Sequence, residues 1–303
     1  MYKIALIIPT RNSGQSFKDT LASVSKQTIT LHYKVVIDTE SEDCTIKDAK
    51  EHDFEIISIK KKEFNHGATR QSGVNLLNDV DIIIFMTQDA ILADNESLEN
   101  LLECFKDPKV GAAYGRQLPH LNAEPIDAHA RLFNYSIASR VKSIDDAKKL
   151  GLKTAFISNS FAAYRKSALL SVGGFPSNTI LSEDTYVAAK MLLDGWKVTY
   201  CAEAKVYHSH NYNYVQEFNR YFDIGVFHAR EPWIRSSFGQ AEGEGKRFVI
   251  SEFNYLWSTG YKSTILSAFF RTLLKYLGYK LGLNEKWMST RIKKNLSMHK
   301  GFW

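Results

Sequence analysis

Five short apolar runs organise the first 116 residues: KIALII, YKVVI, FEIISI, DIIIFM and VGAAYG. Between them lie segments with helical spacing, over 16–27, 43–52, 68–78 and 97–106. This alternation predicts β-α-β units, hence an α/β fold with a mostly parallel sheet and helices on both faces. The run DIIIFM has no polar face, so it reads as a strand buried on both sides. It then turns polar at Thr87, Gln88 and Asp89. Ligands of open α/β sheets sit outside the carboxyl ends of the strands. A carboxylate at this tip therefore marks the floor of a site.

Other strand exits read the same way. The first strand ends in IPTRN (8–12) and the second in VIDTESEDCT (36–45). The third passes through KKKEF into NHGATRQSG (65–73), a glycine-containing turn that opens a helix. A carboxylate suits a base or ribose, and Arg70 suits phosphate. Ser41 and Asp43, taken alone, read as ordinary caps; four polar exits along one edge favour a nucleotide site. Residues 1–116 thus form a nucleotide-binding half of a 1–212 domain.

The other half, 117–212, is expected to hold a helix over 126–141, a strand ending near Asn159 and a helix over 166–172. SEDTYVAAKMLLDG has the grammar of a helix, with Ser182 as cap, acids in the first turn and Gly195 as stop. WKVTYC and AKVYHSH read as two short strands. From Tyr214 the spacing is mainly helical, which makes 213–303 a helical, basic C-terminal region.

Four acids and two histidines carry the candidate chemistry: Asp38, Asp89, Glu183, Asp184, His208 and His210. Asp89 suits a hard, oxygen-seeking cation, Mg²⁺ or Mn²⁺, which binds through few carboxylates plus substrate phosphates; a plain strand-end cap is the competing reading. Glu183 and Asp184 interact favourably with the helix dipole, which explains them without any function. The dipole is expected to keep Asp184 ionised at pH 7, yet able to accept a proton from an attacking hydroxyl. His208 and His210 are read as facing opposite sides of a strand, so that one reaches the metal.

Bulk properties narrow the class. The net charge of +6 is concentrated in 262–303, which hold nine Lys/Arg against Glu285 alone. The remaining 30 basic and 32 acidic residues leave the body nearly neutral, which argues against nucleic-acid binding. Three scattered cysteines, Cys44, Cys104 and Cys201, form no Cys-x-x-Cys pair and fit a reducing cytosol. MYKIALIIPT lacks the features of a signal peptide, and no apolar stretch approaches the roughly 20 residues of a membrane span. The expectation is a protein neither secreted nor integral. In 263–282, Ile265, Leu266, Phe269, Phe270, Leu273, Leu274 and Leu277 fall on one helical stripe, with Arg271, Lys275 and Lys280 off it. Such a helix either packs on the main domain or lies on an anionic membrane surface.

The motifs IIPTRN, VIDTESEDCT, NHGATR, TQDA, AAYRKSALLSVGGF and SEDTYVAAKMLLDGW, in this order, resemble family 2 inverting glycosyltransferases of the GT-A fold. FNHGATR, TQDA and SMHKGFW resemble more narrowly the bacterial rhamnosyltransferases that use dTDP-L-rhamnose in surface polysaccharide assembly. The resemblance implies a nucleotide-sugar site at Thr10, Arg11, Asp38, Arg70, Gln88 and Asp89. It implies a metal held by Asp89 and His208, a catalytic base at Asp184, and an acceptor site at Asn159 and Glu183. The partners implied are a dTDP-rhamnose donor and a glycan or lipid-linked glycan acceptor, met on the cytoplasmic face of the inner membrane. Thr87 stands where many relatives carry the first Asp of Asp-x-Asp, which leaves one carboxylate. Gln71 replaces an Asn often found after Arg70, and no Gln-x-x-Arg-Trp motif of processive synthases appears. Rival readings are a UDP-sugar transferase, a sugar nucleotidyltransferase and a non-catalytic nucleotide-sugar or glycan-binding module. The nucleotidyltransferase would need a Gly-rich basic loop after the first strand, and PTRNSGQS has one Gly and no Lys.

Overall fold

The computed structural model describes residues 2–239 and 243–303. Strands and helices alternate through the N-terminal part: β1 (Ile4–Thr10), α1 (Gly14–Ser25), β2 (Tyr33–Thr39), α2 (Thr45–Glu51), β3 (Glu55–Ile59), α3 (His66–Leu76) and β4 (Ile82–Met86). A short β5 (Ile91–Leu92), α4 (Ser97–Glu103) and β6 (Val110–Leu118) follow. The next stretch runs α5 (Pro125–Asn134), β7 (Arg140–Lys142), α6 (Ala147–Leu150), β8 (Phe161–Arg165), α7 (Lys166–Ser171), α8 (Glu183–Leu193) and β9 (Lys197–Tyr207). The C-terminal region is α9 (Tyr214–Arg230), α10 (Pro232–Phe238), α11 (Glu244–Ser258), α12 (Ile265–Leu283) and α13 (Thr290–Leu296).

One nine-stranded sheet has the order β3-β2-β1-β4-β8-β6-β9-β5, with β7 paired to β9. The pairings among β3, β2, β1 and β4, and between β6 and β9, are parallel; β8 runs antiparallel between β4 and β6. β4 shows why its run has no polar residue. Ile82, Ile84 and Met86 enter one core with Phe17, Leu21 and Leu98, while Ile83 and Phe85 enter the other with Val74, Tyr164 and Val187. Burial of each such side chain contributes about 1.5–3 kcal/mol, which anchors the strand whose tip carries Asp89.

Several local expectations change. The strand near Asn159 begins after it, at Phe161, because 151–155 form a 3₁₀ turn that leads into a loop. The helix over 126–141 stops at Asn134, and residues 140–142 pair with β9 instead. WKVTYC and AKVYHSH are one strand, β9, with a register shift opposite Gly115 and Arg116. Ser182 does not cap α8 through its side chain; it sits at φ 60° in the left-handed region.

The C-terminal region is bound to the sheet domain at its far end. Within the region, Met298 and His299 donate their backbone N–H groups to Asp223 of α9 at 2.9 and 3.2 Å, which sets the His299 ring against His66 of α3. Phe302 and Trp303 pack on the main core, and Arg230 lies over both rings. α12 packs along α9, but the stripe predicted from its periodicity does not form the contact. The buried residues of α12 are Ala268, Arg271, Gly278 and Gly282.

Candidate active site

The carboxyl ends of β1, β2 and β4 lie side by side, with Thr10 in register with Asp38. Asp38 is fully buried and accepts from Thr10 Oγ1 at 2.9 Å, from Ser41 Oγ at 2.6 Å and from the Ser41 N–H at 2.9 Å. Ser41 Oγ in turn accepts from the Asn12 N–H at 2.8 Å, so the loops after β1 and β2 are tied together. Gln88 makes the matching tie from β4: its Oε1 accepts from the Arg11 N–H and from Ser13 Oγ, both at 2.8 Å. The Arg11 side chain is exposed at this edge. Thr10, Arg11, Asp38 and Gln88 thus meet at one edge, where Asp38 bonds to the end of β1 and to the loop after β2, and Gln88 to the loop after β1.

Asp89 is the centre of a second cluster. Its carboxylate lies 3.5 Å from His208 Nε2 and 3.7 Å from His210 Nδ1, and is 26% exposed. Burial alone would raise its pKa. The hydrogen bond and charge of His208, with the charge of His210 and the Thr87 hydroxyl, outweigh burial and hold it well below the usual carboxylate range. One ligand atom from each of Asp89, His208 and His210 lies within 4.8 Å of the others. The two histidines therefore face the same side, against expectation. In extended backbone, residues two apart share a side, and both follow the end of β9.

His208 is held from behind. Its Nδ1 is 3.0 Å from Gln117 Oε1, which also accepts from Arg131 Nη1 at 2.6 Å. That carbonyl oxygen can only accept, so Nδ1 carries a proton, and Nε2 is the nitrogen turned toward Asp89. An anionic carboxylate and two imidazoles, one with its orientation fixed from behind, suit a divalent transition ion such as Mn²⁺ better than the oxygen-seeking Mg²⁺. Gln117 is the residue that sequence reasoning misses here, and His210 is one it read as facing away from His208. Only the His-x-His spacing carried a usable signal.

The third group surrounds α8. Asn65 caps α3 by accepting from the N–H groups of Gly67 and Ala68 at 3.0 Å, while its Nδ2 donates to the Thr179 carbonyl. Gly67 permits this seat, because a Cβ there would lie 1.8 Å from the Pro176 carbonyl oxygen. One turn on, Arg70 is only 5% exposed, and its Nη1 lies 3.1 Å from Glu183 Oε1. The guanidinium expected at a diphosphate is thus ion-paired inside the protein. Asn159 Nδ2 donates to the same Glu183 oxygen at 3.0 Å, and Asn159 Oδ1 accepts from the Tyr164 hydroxyl at 2.8 Å. Asn159 and Glu183, the two residues expected to face an acceptor, are both buried and bond to each other. Burial opposes ionisation of Glu183, yet Arg70, His66 and the Asn159 amide keep its pKa below the usual range.

Asp184 is half-buried beside this pair. It accepts from the Asn159 N–H at 3.1 Å and from the Thr185 N–H at 2.7 Å. Burial, reinforced by the charge of Glu183, raises its pKa to about 7. The expectation of a carboxylate held always ionised by the helix dipole is corrected: desolvation and a like charge at the next residue win over the dipole. A carboxyl poised near neutrality suits general base work.

One short segment links the two clusters. Ser158 Oγ accepts from Gln117 Nε2, the Asn159 N–H reaches Asp184, and Ser160 Oγ lies 3.5 Å from His208 Nε2. The C-terminal motif also arrives here, with His299 Nδ1 3.4 Å from His66 Nε2. Burial, with the charges of His66 and Arg220, lowers the pKa of His299 to about 3.

Residues 5–173 match the family described as glycosyl transferase family 2. The chain is 50% identical over 302 residues to the O-antigen chain rhamnosyltransferase RfbN of Salmonella typhimurium, covering 99% of this chain and 96% of that protein. It is 45% identical over 304 residues to the O-antigen chain rhamnosyltransferase WbaN of Salmonella anatum, covering 100% and 96%. Among solved structures, the mannosyltransferase PcManGT of Pyrobaculum calidifontis with GDP-Man and Mn²⁺ superposes with a TM-score of 0.64 at 15% identity, over 94% of this chain and 86% of that one. S. aureus TarS 1–349 with UDP-GlcNAc superposes with a TM-score of 0.54 at 12% identity, over 94% and 91%. At these identities the structural likeness bears on the fold, and it agrees with the α/β sheet described above.

Proposed function

This chain belongs to glycosyl transferase family 2, and on that premise we propose that it moves L-rhamnose from dTDP-L-rhamnose onto a glycan or lipid-linked glycan during O-antigen synthesis. The donor sugar follows from the near full-length likeness to two O-antigen chain rhamnosyltransferases. The thymidine diphosphate follows from the motif resemblance. The observation that carries the chemistry is the 158–160 segment, which holds a cation-type cluster and a near-neutral carboxyl side by side.

In this reading Thr10, Arg11, Asp38 and Gln88 form the floor for base and ribose. Asp89, His208 and His210 would hold a divalent cation, Mn²⁺ or Mg²⁺, which when bound would supply positive charge to the departing diphosphate. Asp184 takes the proton from an acceptor hydroxyl, which attacks the anomeric carbon from the face opposite the diphosphate, and the configuration inverts. Arg70 serves Asp184 indirectly: it neutralises Glu183, whose charge would otherwise push the Asp184 pKa higher still. The acceptor sits at the cytoplasmic face of the inner membrane.

Thermal-shift titration with dTDP, UDP and GDP, with and without Mn²⁺, tests the donor. A ligand that binds only the native state at a hundredfold excess over Kd stabilises by about 2.7 kcal/mol. The expected result is metal-dependent stabilisation by dTDP over UDP and GDP. A UDP preference would overturn the rhamnose donor, and silence toward all three would overturn the strand-tip site.

A further inference from the structure

α12 is turned inside out relative to an ordinary surface helix. Its inner side carries small and charged residues. A Cβ at Gly278 would lie 2.4 Å from the Phe218 carbonyl oxygen, and one at Gly282 only 2.0 Å from that of Phe222. Arg271 and Lys275, on the same inner side, reach buried Glu217 at 3.5 and 3.2 Å. The glycines let the two backbones approach, and the ion pairs occupy what would normally be an apolar seam.

Five of the seven stripe residues therefore point outward, while Ile265 and Leu274 are half-buried. Leu266 is 66% exposed and Phe269 63%, and Phe270, Leu273, Tyr276 and Leu277 are exposed along the same helix. The neighbouring α11 exposes Phe253 and Trp257, whose rings stack at 5.7 Å. A run of this size is more than the scattered surface apolar residues of a soluble protein and marks an interaction surface. No helix among the described residues is long and apolar enough to cross a membrane, so the stripe lies on a surface or against another chain.

Charge decides between them. Of the nine Lys/Arg in 262–303, Arg271 and Lys275 face Glu217 and Lys293 pairs with Glu285, which leaves Lys262, Lys280, Lys286, Arg291, Lys294 and Lys300 exposed. Three of those lysines lie over aromatic rings of this region: Lys262 over Trp257 at 4.2 Å, Lys280 over Tyr276 at 5.6 Å and Lys286 over Trp287 at 5.2 Å. A two-fold dimer would bring the same lysines of both copies together, since an isologous interface pairs a patch with itself. An anionic lipid surface takes the apolar stripe into its acyl boundary and the lysines onto its headgroups.

We infer that the outer face of α12, with the lysine–aromatic pairs around it, is the surface by which this protein docks on anionic lipid. The inference rests on the reading above only in taking the acceptor to be membrane-borne. Co-sedimentation of the full chain with vesicles of phosphatidylethanolamine and phosphatidylglycerol, against phosphatidylcholine alone, tests it. Wild type is expected to bind the anionic vesicles at low salt and to release at high salt. The Phe269→Ser/Leu273→Ser protein should bind at least ~10-fold more weakly with an unchanged melting temperature, both sites being exposed. Lys280→Glu/Lys286→Glu should bind at least ~30-fold more weakly. Wild type left in the supernatant at low salt, or a wild-type dimer that Phe269→Ser/Leu273→Ser dissociates while vesicle binding persists, would overturn the inference. The same variants, assayed for nucleoside diphosphate release with a water-soluble acceptor, should stay within about twofold of wild type. If wild type itself releases none, the transferase reading fails while the vesicle result still decides the docking surface.

Discussion

The Asp184→Asn enzyme is expected to turn over about 10²–10⁴-fold more slowly than wild type, the range that a positioned general base contributes. Its substrate KM values should change little, because the amide keeps the size of the side chain. The pH dependence gives the assignment its sharper edge. Asp184 titrates near 7 because burial and Glu183 oppose its ionisation. Below that pH it is protonated and cannot accept the acceptor proton, so wild-type kcat/KM should rise with pH through about 7 and then level. The variant's residual rate should lack this limb. Stability has a definite sign as well. The folded-state pKa is raised above the ordinary Asp value, so ionisation between about 4 and 7 costs the folded state stability as pH rises. Asparagine carries no such cost but accepts through one oxygen in place of two, so it gives up one of the two N–H bonds, and its melting temperature at pH 8 should stay close to that of wild type. A large drop in melting temperature with a parallel loss of rate would mark Asp184 as structural.

Asp89→Ala should have the other large effect. It removes the only carboxylate of the cluster, leaving two imidazoles as ligands. A cation acting on a departing diphosphate is worth several kcal/mol, so turnover should fall by about 10³-fold. Mn²⁺ binding, read by electron paramagnetic resonance or calorimetry, should weaken at least ~100-fold independently of turnover. Chelation of wild type should reproduce the loss, with recovery on adding Mn²⁺. Undiminished Mn²⁺ binding in Asp89→Ala would place the metal elsewhere.

The parts of this molecule that were legible in its sequence are those fixed by local periodicity. A five-residue apolar run can be satisfied only between two cores, and β4 alternates between them. That reading alone singled out Asp89, which the fold brings beside His208 and His210. What local pattern could not carry was long-range pairing. Arg70 and Glu183 are 113 positions apart, and phosphate-binding chemistry suggested a ligand where the fold supplies a partner. Gln117 reaches His208 only because β6 and β9 run parallel with Gln117 beside Val206. The pKa of Asp184 was misread because the helix dipole is visible in sequence and desolvation is not. For α12 the stripe was visible but its direction was not. The cue that settles it, Gly278 and Gly282 four residues apart and off the stripe, becomes decisive once α9 is known to lie against them.

The most direct test is to incubate wild type with dTDP-L-rhamnose, Mn²⁺ and a panel of alkyl hexosides, and to follow the anomeric signals by NMR. A glycoside of configuration opposite to the donor's is expected, with one dTDP released per bond formed and no product from Asp184→Asn on the same timescale. Retention of the donor's configuration, release of pyrophosphate, or undiminished transfer by Asp184→Asn would contradict a one-displacement transfer with Asp184 as base.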